Sequence, residues 1–338
     1  MARSIERSST AVAPCSTANL GPGYDVFGLA LNGMKDVVKI RRVIHDFSAM
    51  KQIGNMSALG KKRINMKVSG SRSEAIPISA ESNSAGLAVM KMAGDFGIED
   101  QLEIEITKGI PAGFGLGSSA ASAAAAAVAF DRLFDLRIDK TRLVHYAAEG
   151  EIASAGIKHY DNVAASLLGG FIIVGIASDD QKPRFTKIEP PSDLGLVVAV
   201  PNLQVPKKKT GVARGVLPSL VPLRSVIHNV SNASTIVAGF ASKDVQLIAN
   251  GMNDAIVEPA RQHLIPGFSY VRKNAQNAGA LAVAISGAGP SVVSFLKTDE
   301  SWRKVASAMK RGFKESGIIS RTYLLHPGVG AKVVSATN

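Results

Sequence analysis

The chain has 338 residues, about two domains at roughly 150 residues each. Apolar residues make up 46% and charged residues 20%, which is enough for a real core and excludes a chain disordered as a whole. Lys and Arg outnumber Asp and Glu by 39 to 27, and the resulting charge of +12 suits nucleic acid, an anionic membrane surface or phosphorylated small molecules.

In chain order, Val37 to Val43 reads as a strand. Ile64 to Val68 and Leu102 to Ile106 alternate apolar with polar residues, as half-buried strands do. The polar stretch His45 to Arg63 between them reads as an exposed connection. Asn83 to Phe96 has helical spacing and ends at Gly97. Ser118 to Phe134 and Lys140 to Ala155 each read as one helix, and an apolar strand follows Leu168.

Composition then shifts. Ser178 to Asp193 is charged and holds Pro183, Pro190 and Pro191, so the domain boundary is expected there, with one domain over 1–177 and a second over 178–338. Beyond it come a strand at Leu194 to Val200, a basic loop at Lys207 to Lys209, and helices near Val221 to Phe240, Lys243 to Met252 and Ser269 to Asn277. Strands at Leu281 to Ile285 and Val292 to Phe295, a helix near Glu300 to Glu315 and a strand near Arg321 to Leu325 complete the reading. Irregular mixing of strands and helices favours an α+β fold over a doubly wound sheet.

The lone cysteine, Cys15, excludes an internal disulfide and any Cys-x-x-Cys metal site, and a reduced, cytoplasmic setting is expected. The longest apolar run, Ala123 to Phe130, falls well short of the ~18 residues of a membrane helix, and the first residues do not read as a signal peptide. No membrane association is expected.

Three segments are rich in glycine. The central one, KGIPAGFGLGSSAAS over Lys108 to Ser122, runs from a strand through a loop into a helix. Gly113, Gly115 and Gly117 let the backbone come close and turn sharply. The first amides of the helix have no internal partners, and the helix dipole adds about half a positive charge at that end. That is the physical recipe for a phosphate site; the plainer alternative is a capped, alanine-rich core helix. Gly115 to Ala120 matches G-x-G-x-x-A, but no acidic residue follows ~20 residues on at the end of a second parallel strand, and no Gly-Lys-Ser/Thr follows either. The first segment, PCSTANLGPGYD over Pro14 to Asp25, sets Asn19 and Asp25 on the two sides of an irregular turn. The third, SGAGPS over Ser286 to Ser291, joins two apolar strands. Three such segments exceed what turns require.

Together these segments resemble the GHMP kinases, whose motifs include Asn-Leu-Gly-Pro-Gly-Phe-Asp, Gly-Leu-Gly-Ser-Ser-Ala and a late Gly-Ala-Gly loop. The resemblance runs from about Ala11 to Leu325. Within the family it is closest to the homoserine kinase branch, through SxANLGPGYDVFGLAL, GIKHYDNVAASLLGGF at Gly156 to Phe171, TGVARGVLP at Thr210 to Pro218 and EPARQHLIPGF at Glu258 to Phe268. Tyr24 stands where the family usually has Phe, and Ala165 where Pro is common. The resemblance implies the GHMP kinase fold: an N-terminal domain like ribosomal protein S5 domain 2, then a C-terminal ferredoxin-like α+β domain, with the site between them. It implies ATP, Mg²⁺ and phosphorylation of the L-homoserine hydroxyl, a small-molecule substrate rather than nucleic acid. A homodimer is left open.

Residue by residue, the resemblance assigns Asn83, Lys108, Gly113, Gly115, Leu116, Gly117, Ser118 and Ser119 to the nucleotide. Asn83 could equally be a helix cap. It assigns Ser119 and Glu151 to Mg²⁺, which takes few protein ligands; a solvated helix face is the alternative for Glu151. Arg214 and Arg261 resemble a carboxylate-binding pair, since a guanidinium meets a carboxylate through two parallel hydrogen bonds. Asn19, Asp25, His159 and Gly287 complete the amino-acid pocket. His159, Asp161 and Asn162 border the reacting hydroxyl. Relatives with a catalytic Asp carry it seven residues before the Gly-Gly pair, where this chain has Asn162, and an amide cannot take a proton. Catalysis without a dedicated base is therefore expected, by positioning and charge stabilisation. The rivals are another GHMP kinase, acting on shikimate or mevalonate, and a nucleic-acid-binding protein on an S5-like fold. Scattered basic residues and 5% aromatics speak against the last.

Overall fold

A computed structural model of the chain describes residues 7–43, 63–175, 183–206, 209–298 and 302–337. Within these residues the strands are β1 (Ser8–Ala18), β2 (Phe27–Val43), β3 (Ile64–Gly70), β4 (Gln101–Lys108), β5 (Phe171–Gly175) and β6 (Arg184–Ile188). They continue with β7 (Leu194–Pro201), β8 (Ala282–Ile285), β9 (Val292–Lys297), β10 (Ser320–Leu325) and β11 (Lys332–Thr337). Seven form one sheet in the order β11-β1-β2-β4-β3, with β5 beside β2 and β6 beside β5. Only the β3–β4 pair is parallel. The other four form an antiparallel sheet, β10-β7-β9-β8. Irregular strand order and mostly antiparallel pairing make this the expected α+β arrangement.

The strands sort differently from a cut at residue 177. β6 pairs antiparallel with β5, and β11 pairs antiparallel with β1, so two strands from beyond residue 177 complete the first sheet. β6 hides in the proline-flanked charged stretch because it sits at a sheet edge with mostly exposed or half-buried side chains. β11 is exposed along its length and carries no apolar alternation to reveal it.

The Ser118–Phe134 helix forms where it was expected. Its alanines are buried and free of bulk, so it lies close on β1, β2 and the Ser84–Asp95 helix. The single helix expected over Lys140 to Ala155 is two, Lys140–Glu149 and Glu151–Ala155. The break is at Gly150, where a Cβ atom would lie 2.4 Å from the Ser84 carbonyl oxygen. That close approach brings Glu151 against the first turn of the alanine helix. The Asp161–Leu168 helix, absent from the sequence reading, packs across the same helix and β2.

The second sheet is covered on both faces. Leu194, Leu196 and Val198 of β7 join the main core, while Val197 and Ala199 join a second core with Phe268, Met309 and Phe313. A strand buried on both faces reads as a continuous apolar run, which is what LGLVVAVP is. The two lobes share a continuous core, in which Phe171 of β5 stacks on Phe240 of the Leu223–Ser242 helix at 3.8 Å between ring centres. No helix of the described residues is long and apolar enough to cross a membrane. The connection expected over His45 to Arg63 lies, apart from Arg63, outside the described residues, as do Lys207 and Lys208 of the basic loop.

Candidate active site

The loop after β4 is shaped by a buried ion pair. Asp36 of β2 accepts from the Gly109 and Ile110 amides at 3.0 and 3.1 Å through Oδ1, and from the Ser122 hydroxyl at 2.8 Å through Oδ2. Lys108 pairs with the same carboxylate and donates to the Ser118 carbonyl at 2.9 Å and the Ser122 hydroxyl at 2.7 Å. An ammonium has three donors, and all three are spent. Burial pulls Lys108 below the usual lysine range, against the pull of Asp36. Lys108 lines the cavity and pins the loop to its helix, with its three donors in use within the protein.

The helix begins at Ser118 with Gly117 as its cap, at φ 64° and without a side-chain hydrogen bond to its first amides. The Ser118 hydroxyl donates to the Ile110 carbonyl at 3.0 Å. No alternative side chain fits at Gly117, since a Cβ there would lie 2.0 Å from the Ser16 hydroxyl. Ser16 comes from β1, just past a register shift between Pro14 and Cys15. Its amide bonds the Leu116 carbonyl at 3.1 Å, and its hydroxyl donates to Asn162 Oδ1 at 2.9 Å. The result is a set of uncapped amides at the end of a 17-residue helix, a ready site for an anion.

Beside this helix end stand three acid or amide side chains. Glu151 is 7% exposed, and burial pushes its carboxyl above the usual range, against a hydrogen bond with Ser119. A buried carboxylate on a loop-facing hydroxyl excludes the solvated-face alternative. Asp161 is buried at the start of its helix and accepts from the Asn162 amide at 2.7 Å. Burial, and next the charge of Asp25, push its carboxyl up to about 6. Asn162 has its Oδ1 occupied by Ser16, which leaves Nδ2 as its donor; one hydrogen meets Asp161 Oδ1 at 3.3 Å.

The far end of the cavity is built from charged side chains around Tyr24. The guanidinium of Arg214 lies 5.3 Å from the Tyr24 ring centre and that of Arg261 4.8 Å. Arg214 donates to Asp25 at 2.6 Å and to His159 Nδ1 at 2.9 Å. A guanidinium only donates, so Nδ1 is the acceptor in that bond. Burial pushes the Asp25 carboxyl up, but His159 and Arg214 beside it outweigh burial and hold the group below its usual range. Arg261 is 4% exposed and donates through Nε to the Ala213 carbonyl at 2.9 Å, while its buried Nη1 has no hydrogen-bond partner among the described residues. Its short helix is capped by Asp254, which accepts from the Ile256, Val257 and Glu258 amides. Asn19 takes a left-handed backbone at φ 58° and accepts from the Asp25 amide at 2.9 Å, so it holds the turn that presents Asp25.

The third glycine segment ties the other two together. The Ser286 hydroxyl bonds Thr17 at 2.9 Å and the Gly115 carbonyl at 2.7 Å. Gly287 lines the cavity, but its amide donates to the Ala18 carbonyl at 3.0 Å. It brings the two loops into close approach. Asn83 is likewise engaged within the protein. Its Oδ1 accepts from the Ala85 and Gly86 amides and its Nδ2 donates to the Pro77 carbonyl at 2.7 Å. It is the cap of the Ser84–Asp95 helix.

One cavity of about 620 Å³ gathers every one of these candidates. Asn19, Asp25, Asn83, Lys108, Glu151, His159, Asp161, Asn162, Arg214, Arg261 and Gly287 line it, together with Gly113 and the loop from Gly115 to Ser119. Ser16, Tyr24 and Lys209 were missed. Ser16 and Tyr24 stand inside the first motif but have no charge to mark them. Lys209 was read as the end of a basic loop, whereas it opens the Lys209–Gly215 helix, and its ammonium bonds the Gly113 carbonyl at 2.7 Å.

Residues 83–170 match the GHMP kinases N terminal domain, and residues 236–315 the GHMP kinases C terminal. The chain is 37% identical to a homoserine kinase of Thermoplasma volcanium over 91% of this chain and 90% of that protein. It is 36% identical to a homoserine kinase of Methanocella arvoryzae over 97% and 98%. The crystal structure of homoserine kinase from Cytophaga hutchinsonii superposes with a TM-score of 0.84 at 34% identity, covering 97% of both chains.

Proposed function

Because the chain belongs to the homoserine kinase family of the GHMP kinases, we propose that it transfers the γ-phosphoryl group of ATP to the side-chain hydroxyl of L-homoserine, giving O-phospho-L-homoserine and ADP. One observation carries this reading. A single cavity has an uncapped helix N-terminus at one end and a pair of guanidiniums with a carboxylate at the other. The first end suits a polyphosphate, and the second suits a zwitterionic amino acid. The substrate hydroxyl then lies between them, beside Asn162.

In this reading the amides from Gly117 to Ser119 hold the phosphates. Arg261, with its unpartnered Nη1, takes the homoserine carboxylate, and Arg214 flanks it. Asp25 takes the ammonium. A carboxylate and a hydroxyl in contact, Glu151 and Ser119, are a fitting donor pair for Mg²⁺, which draws its other ligands from phosphate and water. Bound there, the cation would neutralise charge on the phosphates.

The candidate bases are already engaged. The His159 Nδ1 accepts from Arg214, Asp161 accepts from Asn162, and the Asn162 amide is far too weak a base to take a proton. The hydroxyl oxygen bonds to the γ-phosphorus as the bond to the β-γ bridging oxygen breaks, and the hydroxyl proton passes to an oxygen of the transferred phosphoryl group. The Asn162 amide donates to the reacting groups. A loose transition state needs little more than such positioning and charge stabilisation.

The test is ADP release, with Mg²⁺ present, on a panel of L-homoserine, shikimate, mevalonate and galactose. L-homoserine should turn over and mevalonate should stay at background. Equal or faster turnover of another member would overturn the assignment, and shikimate, which has a carboxylate but no ammonium, tests Asp25 in particular.

A further inference from the structure

The cavity has a positive charge that the reading above leaves idle. Lys209 sits between the central and the late glycine loops. Its ammonium donates to the Gly113 carbonyl at 2.7 Å and to the Gly289 carbonyl. Among the described residues it has no carboxylate partner, unlike Lys108, which is paired with Asp36, and Arg214, which is paired with Asp25. Another cation, Arg261, acts against its charge.

Two neutral carbonyls solvate an ammonium but do not balance its charge. Three positive features converge here: the uncapped end of the Ser118–Phe134 helix, the buried guanidinium of Arg261, and Lys209. Each raises the potential felt by the others, and burial shields none of them. Burial and then Arg261 press Lys209 down to about 7. The arrangement is electrostatically incomplete until an anion enters.

Position decides which part of that anion meets Lys209. It contacts the phosphate-type loop on one side, at Gly113, and neighbours the amino-acid cluster on the other, through Arg261. A phosphoryl group on its way from one end of the cavity to the other lies between these two. We propose that Lys209 is the residue that binds the terminal phosphate of the nucleoside triphosphate, exchanging its two loop carbonyls for phosphate oxygens when the nucleotide arrives. The exchange is a substitution of neutral acceptors for charged ones, and a charge-assisted bond is about twice as strong as a neutral one. Losing its contacts also frees the Gly113 and Gly289 loops to settle around the nucleotide. This assignment rests on the kinase reading and adds to it a cation that none of the recognised motifs supplies.

The experiment is titration calorimetry of the full chain with ATP and, separately, with ADP, Mg²⁺ present and no amino acid. Lys209→Met should weaken ATP roughly ten- to a hundredfold and leave ADP within about twofold. Lys209→Arg should keep most of the ATP affinity, because it keeps the charge. Lys209→Gln, which retains a donor for the two carbonyls, should behave like Lys209→Met. Equal weakening of ATP and ADP would make Lys209 a clamp between loops and overturn the proposal. So would unchanged ATP affinity in both neutral variants while the wild-type chain binds ATP. A wild-type chain that binds no ATP would overturn the kinase reading itself, and this assignment with it.

Discussion

The two ends of the cavity are built from different materials. At the loop end backbone amides face the ligand, and the side chains that shape the loop are satisfied by one another. Lys108, Asp36, Ser118 and Ser122 form a closed network whose product is the shape of the loop. At the other end the ligand-facing groups are side chains, and they are left half satisfied. Arg261 has a buried nitrogen without a partner, and Arg214 is shared between Asp25 and His159. The first end holds its shape without its ligand, while the second is shaped by side chains that still have bonds to make. A disturbance at the loop end should therefore register first as stability, and one at the amino-acid end as affinity.

The largest effect should come from opening the closed network. Removing one partner of a buried ion pair leaves the other charge unpaired, at a cost of about 3–5 kcal/mol. Lys108→Met should lower unfolding free energy in urea by that amount, and the double variant Asp36→Asn/Lys108→Met should recover much of it. A loss below ~1 kcal/mol would mean that the loop holds its shape without the pair.

Next in size is Glu151→Gln, which keeps the shape of the side chain and drops its charge. The urea midpoint should stay near that of the wild type, since a buried carboxylate raised by burial is no source of stability. At saturating Mg²⁺, kcat should fall by about a hundredfold or more, the usual cost of deleting one electrostatic stabiliser. An unchanged kcat would remove Glu151 from the reacting centre.

Which half of this was legible in the sequence follows from the same contrast. A loop made of backbone is local, so GFGLGSSA announces itself over eight residues, and the helix after it was read from Ser118 to Phe134 because Gly117 and the alanine run punctuate it. The charged end is assembled across the chain, with Asp25 and Arg214 separated by 189 positions. No spacing rule joins them, and only likeness to a family could. The fold shows the same division. The alternating strands β3 and β4 were read directly. β1 was not, because SSTAVAPCSTA is small, partly polar and carries Pro14 at a register shift. For Lys108 and Asn83 a sequence shows that a lysine or an asparagine is present but not which of its donors the fold already uses.

The amino-acid end gives the third effect. Arg261→Ala removes charge-assisted contacts worth about 1.5–3 kcal/mol, so KM for homoserine should rise roughly ten- to a hundredfold. KM for ATP should stay within about twofold, since the nucleotide is read to sit at the other end. Arg261→Lys should restore only part of the loss, because an ammonium cannot make paired bonds to a carboxylate. If ATP weakened and homoserine did not, the two ends would have been placed the wrong way round.

The smallest effect should come from Asn83, where the two ways of using a polar residue can be told apart. As a cap it accepts from the Ala85 and Gly86 amides, and losing a cap costs about 0.5–2 kcal/mol. Asn83→Ala should lower unfolding free energy by about 1 kcal/mol, while Asn83→Asp and Asn83→Ser, which also cap, should lose only a few tenths. KM for ATP should be unchanged in all three, because Nδ2 already donates to the Pro77 carbonyl and the oxygen is fully engaged. The contrary result is equally clear. If Asn83→Ser keeps its stability but raises KM for ATP severalfold, the second amide hydrogen reaches the base. Asn83 would then be a residue satisfied by the protein and used by the ligand at once, and the division between a closed end and an open end would fail at this position.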